Sequence, residues 1–326
     1  MFSRLGFLWL VVLLAFITAL FIGAQDYSPA VLWQAIRAYD PGDAAQVILI
    51  EMRLPRALTA VTVGAALAVS GLVMQALTRN PLADPGLTGV NAGAALAVVG
   101  GLWIFGPLPR SLIATLAITG AAGAVVLVRM LAGGGDNTLR LPLAGVAFAS
   151  LCMAIVSFIV LLNPEARNVY RFWMVGSLTL ADTSALLTLA PVVLVGIGCA
   201  LLISRQIEAL MLGTEMGTAL GVSADRVLSV GLLSIALTAG ASVALAGPVS
   251  FIGLIAPHLA RRIVPRAGLA AQVLLACPMG ACLALLADTA GRRLVRPGEL
   301  PLSILLAAIG APIFMLLVRR ILRESA

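Results

Sequence analysis

Lysine is missing from all 326 residues: the 21 basic side chains are arginines, and there is a single histidine, His258. Without lysine a Walker-type phosphate loop cannot be completed, so the glycine run at residues 133–135 is no nucleotide site. The chain therefore carries no ATPase of that kind. Charge of either sign is scarce, at 11% of residues, and no stretch is polar enough to form a soluble domain by itself. The four cysteines (Cys152, Cys199, Cys277 and Cys282) sit inside apolar runs without metal-type spacing. They read as buried thiols, not as disulfides or ligands. A net charge of +7 fits arginines held at headgroup depth, whereas nucleic-acid binding would need a soluble basic face.

What the chain has is hydrophobic length. Apolar residues make up 61% and the mean hydropathy is +1.09, which predicts an all-α polytopic membrane protein, one unit over residues 1–326. The stretch from Arg53 to Gly93 organises it. Residues 57–77 are uncharged and long enough to cross a bilayer as a helix. Small residues recur every fourth place, at Ala60, Gly64 and Ala68, and again at Gly89, Gly93, Ala97 and Gly101 beyond an Asn80-Pro81-Leu82-Ala83 turn. That spacing lets neighbouring helix backbones approach closely in lipid.

In chain order, residues 5–23 form a first apolar run behind Arg4. A cleaved signal peptide competes, but the run is long and a multi-spanning body follows, so a retained helix with a cytosolic N-terminus is expected. Residues 24–52 are polar and expected outside. Further spans are read at 92–105, 111–131, 141–162, 183–203, 227–246, 269–286 and 302–318, with a short apolar piece broken by Pro257 before Arg261, Arg262 and Arg266. The sum is about ten helices with both termini cytosolic. The longest cytosolic polar interval, residues 205–226, has glycines at 213, 217 and 221 and predicts short surface helices; an ordinary connecting loop is the competing reading. Met74 and Gln75 could face a pathway, with packing the commoner role for a methionine.

A shift of 176 residues (240 − 64) superposes Gly64, Ala68, Gly71 and Val73 on Gly240, Ala244, Gly247 and Val249, and Pro81 on Pro257. One copy runs inward and the other outward, the pattern of inverted repeats around a transport pathway. By this topology the positive-inside bias is weak, because two arginine clusters fall outside: Arg53 with Arg56, and Arg292 with Arg293 and Arg296. Headgroup anchoring accounts for any single arginine. Two clusters at helix mouths are better explained by an acidic partner docking there.

The RLPR at 53–56, GAALAVSGLVMQ at 64–75, NPLADPGLTGVNAGA at 80–94, ALGV at 219–222, AGPVSFIGLIAPHLAR at 246–261 and ELPLSILLAAIGAPIFMLL at 299–317 together resemble the FecCD/BtuC-type permeases, the membrane subunits of ABC importers for iron-siderophore complexes, haem and cobalamin. The motifs lie in order over nearly the whole chain. Ser303-Ile304-Leu305-Leu306 departs from the family's usual G-v-v-T. The resemblance implies a dimer of ten-helix permeases in the bacterial inner membrane, identical or homologous, with two cytosolic ATPases that hold the ATP and a periplasmic or lipid-anchored binding protein. No cofactor or catalytic residue is implied for this chain. It further implies binding-protein docking on Arg53, Arg56 and Arg292, with Arg293 and Arg296 beside them. Coupling to the ATPase would fall on Glu208, Leu212, Gly213, Glu215, Gly217, Leu220, Gly221 and Val222. The Asn80, Pro81 and Leu82 turn resembles a cytosolic gate, with Thr138 a second gate residue and Pro257 and His258 further pathway positions. A lone histidine beside a proline is more often a structural hydrogen-bonding group than a metal ligand.

Two other classes compete. An ion-driven secondary carrier would share helices and an inverted repeat, but such carriers need carboxylates inside the membrane, and Glu51, Asp182 and Asp288 lie at span ends. A membrane-embedded enzyme has no nucleophile–base pair or metal-ligand set to support it.

Overall fold

The computed structural model describes residues 2–133, 140–179, 181–265, 267–295 and 298–324. Among them there are fourteen α-helices and no strand. The chain opens with α1 (Phe2–Phe21), α2 (Pro29–Arg37) and α3 (Ala44–Val47) and continues through α4 (Leu54–Leu77), α5 (Val90–Phe105), α6 (Arg110–Ala132) and α7 (Arg140–Leu162). After α8 (Pro164–Met174) come α9 (Thr183–Met211), α10 (Thr214–Ala219), α11 (Ala224–Ala246), α12 (Ile252–Ile263), α13 (Leu269–Leu294) and α14 (Leu302–Glu324). Seven described helical segments are long and apolar enough to cross a membrane; α5 and the Leu302–Met315 part of α14 are shorter apolar pieces.

The helix at the centre is α4, packed against α13, α11, α12, α9 and α1. Lipid tails are as apolar as leucine, so burial alone does not draw helices together in a membrane; close van der Waals contact does. Small residues supply it. A Cβ on Gly64 would stand 2.2 Å from the Gly280 carbonyl oxygen of α13, and one on Gly280 would stand 2.0 Å from that of Gly64. Gly93 of α5 and Gly120 of α6 meet in the same reciprocal way, at 2.5 and 2.4 Å. The fourfold spacing thus marks contact faces, with one change of role. Gly89 is the left-handed residue (φ 77°) that starts α5.

Several boundaries move relative to the sequence reading. Residues 24–52, read as polar and outside, carry helices of their own: α2 and α3 lie there, and a π-helical turn at Ile48–Arg53 leads without a break into α4. Pro55 has no N–H to give the carbonyl four residues back, and the wider turn falls just before it. Helix α9 runs on to Met211 instead of stopping near residue 203, about two further turns, because Ile207 in that extension is buried in the core.

Pro257 does not break its segment; it lies inside α12. A proline there removes the partner of the Gly253 carbonyl. That carbonyl instead accepts the Gln75 amide of α4 at 3.0 Å, and Arg261 in turn donates to the Gln75 oxygen. Gly71 makes this possible, since a Cβ on it would lie 2.0 Å from the Gly253 oxygen. The proline match of the repeat is not kept in three dimensions either: Pro81 falls in the turn after α4, and Pro257 in a helix. Met74 is fully buried in the core.

Replacing Gly64 with leucine is expected to drive apart the two backbones and cost about 3 kcal/mol or more. Thermal unfolding in detergent should show a large drop for Gly64→Leu and little change for Gly100→Leu, where nothing stands within 4 Å of the added carbon.

Candidate functional site

The two ends of α4 carry different chemistry. At its N-terminal end, Arg53, Arg56, Asp288, Arg292 and Glu299 form one charged cluster. Arg56 grips Asp288 of α13 from two nitrogens, Nε at 3.0 Å from both carboxylate oxygens and Nη2 at 2.8 Å from Oδ1, while its Nη1 lies 2.7 Å from Glu299 Oε2. Arg292 Nε is 3.2 Å from Asp288 Oδ2, one helical turn away.

Arg292 and Arg53 also close α1. The last carbonyls of a helix have no partner within it and carry partial negative charge. Arg292 Nη2 donates to Ala19 O at 2.9 Å, and Arg53 Nη1 to Leu20 O at 2.8 Å. The Arg53 guanidinium also stacks 4.7 Å from the Tyr27 ring centroid.

This changes the standing of the arginines that the sequence places at the mouth. Arg53, Arg56 and Arg292 are buried (7%, 9% and 4% exposed) and held by their own chain, not presented as free guanidiniums. Burial of a guanidinium demands carboxylate or carbonyl partners, and the fold supplies them. Arg293 is the exposed member, its side chain 55% accessible and 3.9 Å from Asp26. Arg296 lies outside the described residues. The partners Asp288 and Glu299 were missed as site residues, although Asp288 stands four residues before Arg292, a helical ion-pair spacing.

At the other end, the turn after α4 is built from side-chain and backbone hydrogen bonds. Asn80 Oδ1 accepts the Leu82 N–H at 2.9 Å, and the Asn80 carbonyl accepts that of Ala83 at 3.1 Å. Arg79 takes a left-handed backbone (φ 51°) and its guanidinium donates to the Leu210 carbonyl at the end of α9. Burial pushes the nearby Asp84 carboxyl above its ordinary range, and the Gly86 N–H at 2.8 Å works against that shift.

Helix α10 folds back on the same end of α9: a Cβ on buried Gly217 would stand 2.7 Å from Leu210 Cδ2. Gly213 (φ 128°) and Gly221 (φ 79°) flank α10 in conformations that side-chain-bearing residues rarely adopt. Leu212, Met216 and Leu220 are exposed at 74%, 56% and 62%, and Glu215 is exposed beside them. Val222 is half-buried against the core. Glu208 faces inward, accepting the Leu269 N–H at the start of α13, and so acts as a helix cap.

Pro81 borders a cleft of about 590 Å³ with Gln75, Arg79, Glu208 and Arg261. A second cleft of about 480 Å³ lies between α5, α7 and the start of α14, lined by Asn91, Met153, Ser250, Ser303 and Ile304 among others. The gate positions do not line it. His258 and Pro257 sit on α12, half-buried and buried. Thr138 lies outside the described residues.

Asp288 balances two buried cations, so its removal leaves both uncompensated. Asp288→Ala is expected to lower stability by about 3–5 kcal/mol, and Arg293→Ala at the exposed pair by less than about 1 kcal/mol. Chemical unfolding in micelles checks the ranking.

Comparison with known proteins agrees with this architecture. The FecCD transport family model matches residues 10–320. The ferric enterobactin permease FepD of Escherichia coli is 42% identical, over 98% of this chain and 96% of its own length. The hemin permease HmuU of Yersinia pestis is 39% identical, over 97% and 95%. A solved structure described as a metal-chelate type ABC transporter in an inward-facing conformation superposes with a TM-score of 0.83 at 32% identity, covering 97% of this chain and 98% of its own. The chain belongs to the FecCD transport family, as a membrane permease subunit of the ABC importer type.

Proposed function

We propose that this permease passes a ferric siderophore inward across the bacterial inner membrane, with both termini cytosolic. It works as one of two permease protomers with two ABC ATPases and a substrate-binding protein. The observation that carries the reading is the contrast between the ends of α4: a cluster of arginines and carboxylates at one, and at the other a short helix between two glycine turns with Leu212, Met216 and Leu220 exposed on and beside it. The cargo is inferred from the relatives, which include permeases for ferric enterobactin, ferric citrate and hemin.

In this reading α10 is the coupling helix. Leu212, Met216 and Leu220 enter a groove on the ATPase, and Gly213 and Gly221 are the turns that let α10 move. The contact of Gly217 with Leu210, and of Arg79 with the Leu210 carbonyl, gives that movement a path to the Asn80–Leu82 gate. At the other end an acidic binding protein docks over Arg293 and Arg56, while Arg53 and Arg292 hold the mouth in shape through the end of α1. An ion-driven carrier is disfavoured on the same geometry, since Asp288 is buried and ion-paired to two arginines.

Reconstituted with its ATPase and binding protein in liposomes, the chain should take up labelled ferric siderophore only with ATP. Faster uptake of haemin or cobalamin would reassign the cargo, and uptake on an ion gradient without nucleotide would defeat the reading. Met216→Glu and Leu220→Glu should each lower ATP-driven uptake about tenfold or more, as expected for apolar anchors of an interface. Arg293→Glu should slow association of the binding protein several-fold, an effect that fades with added salt.

A further inference from the structure

The Arg56 guanidinium sits at the mouth where docking is proposed, yet one of its faces is already occupied. Asp288 takes Nε and Nη2 from within the bundle, and both side chains there are deeply buried. Glu299 takes Nη1 from the outer side, and its side chain is 30% exposed. Glu299 is therefore the one carboxylate of this pair that water or a partner can reach. Its hold is also light: besides Arg56, its Oε2 receives only a long contact, 3.4 Å from Thr179 Oγ1, among the described residues.

We propose that Glu299 is an internal stand-in for the binding protein's carboxylate, so that docking proceeds by carboxylate exchange on Arg56. The proposal rests on the docking reading given above. The incoming acidic side chain takes over Nη1, Glu299 turns out to solvent, and Asp288 keeps Arg56 in place throughout. The number of carboxylates on the guanidinium is conserved in the exchange, because one leaves it as another arrives. The mouth thereby stays ion-paired when no partner is present, instead of exposing an unpaired guanidinium.

The exchange also has a direction built into the chain. Glu299 is followed by Leu300 and Pro301 and then by α14. The Leu300 N–H bonds to the Gly291 carbonyl at 3.1 Å, and the Ser303 N–H to that of Gly176 at 3.2 Å. Ser303 and Ile304 form part of the wall of the 480 Å³ cleft. Freeing Glu299 loosens the anchor of that wall, so arrival of the partner is felt at the cleft without passing through the centre of the bundle.

The test is a double-mutant cycle on the permease–ATPase complex in nanodiscs, using the binding protein that supports uptake in the liposome assay. Glu299→Gln keeps the shape of the side chain but removes its charge. It should tighten binding about three- to tenfold, the size of a partly exposed ion pair. In an Arg56→Glu background, where no guanidinium remains to compete for, the same change should have no such effect. Bound partner should also speed amide exchange across residues 298–305 in the wild type. Unchanged or weaker binding of Glu299→Gln, with Arg56→Glu still weakening it, would overturn the exchange while leaving docking intact. Unaltered amide exchange on docking would overturn the release of Glu299. If Arg56→Glu binds as well as wild type, the docking reading itself falls and the exchange with it.

Discussion

The structure depends on one backbone-to-backbone contact, Gly64 of α4 against Gly280 of α13. No side chain separates the two helices there, so their register is fixed to within the size of a carbonyl group. Eight residues from the contact along each antiparallel helix stand Arg56 (64 − 56) and Asp288 (288 − 280), a rise of about 12 Å on both. The ion pair at the mouth is the consequence of that register. A side chain at either glycine would move the guanidinium away from its carboxylate and leave both charges buried without a partner.

The same logic holds toward the other end of α4. Gly71 lets α12 approach until the Gln75 amide reaches the carbonyl orphaned by Pro257. One helix thus pins α13 by a glycine, α12 by a glycine and a glutamine, and α1 through the arginine just before it. What is left unpinned is the periphery. Helix α10 sits between two glycine turns with Met216 in the open and Leu212 and Leu220 exposed beside its ends, and α14 is held at its start by the 299–303 segment.

Pairs of buried polar groups leave little trace in a sequence. Arg53 and Arg56 look like free surface charges in a list of residues because nothing local says that α1 ends beside the one and Asp288 beside the other; for Arg292, only the four-residue spacing to Asp288 is a local sign. Glu208 looked like part of an exposed loop, whereas the last turns of α9 carry it under the start of α13. Pro257 looked like a break, and only its distance from Gln75 in space makes it a helical residue. The Asp288 partner of Arg56, the Leu269 partner of Glu208 and the Gln75 partner of the Gly253 carbonyl stand 232, 61 and 178 residues away in the chain.

The amino-acid sequence by itself determined the class of molecule, the places of the apolar spans though not their ends, the small-residue faces and the family motifs, because hydropathy and fourfold spacing are local properties of a helix in lipid. Only the tertiary structure decided which charges are buried, which carbonyls are capped by side chains, and which of the mouth residues are exposed. Those outcomes rest on contacts between helices far apart in sequence, and a contact of that kind has no signature until the helices are packed.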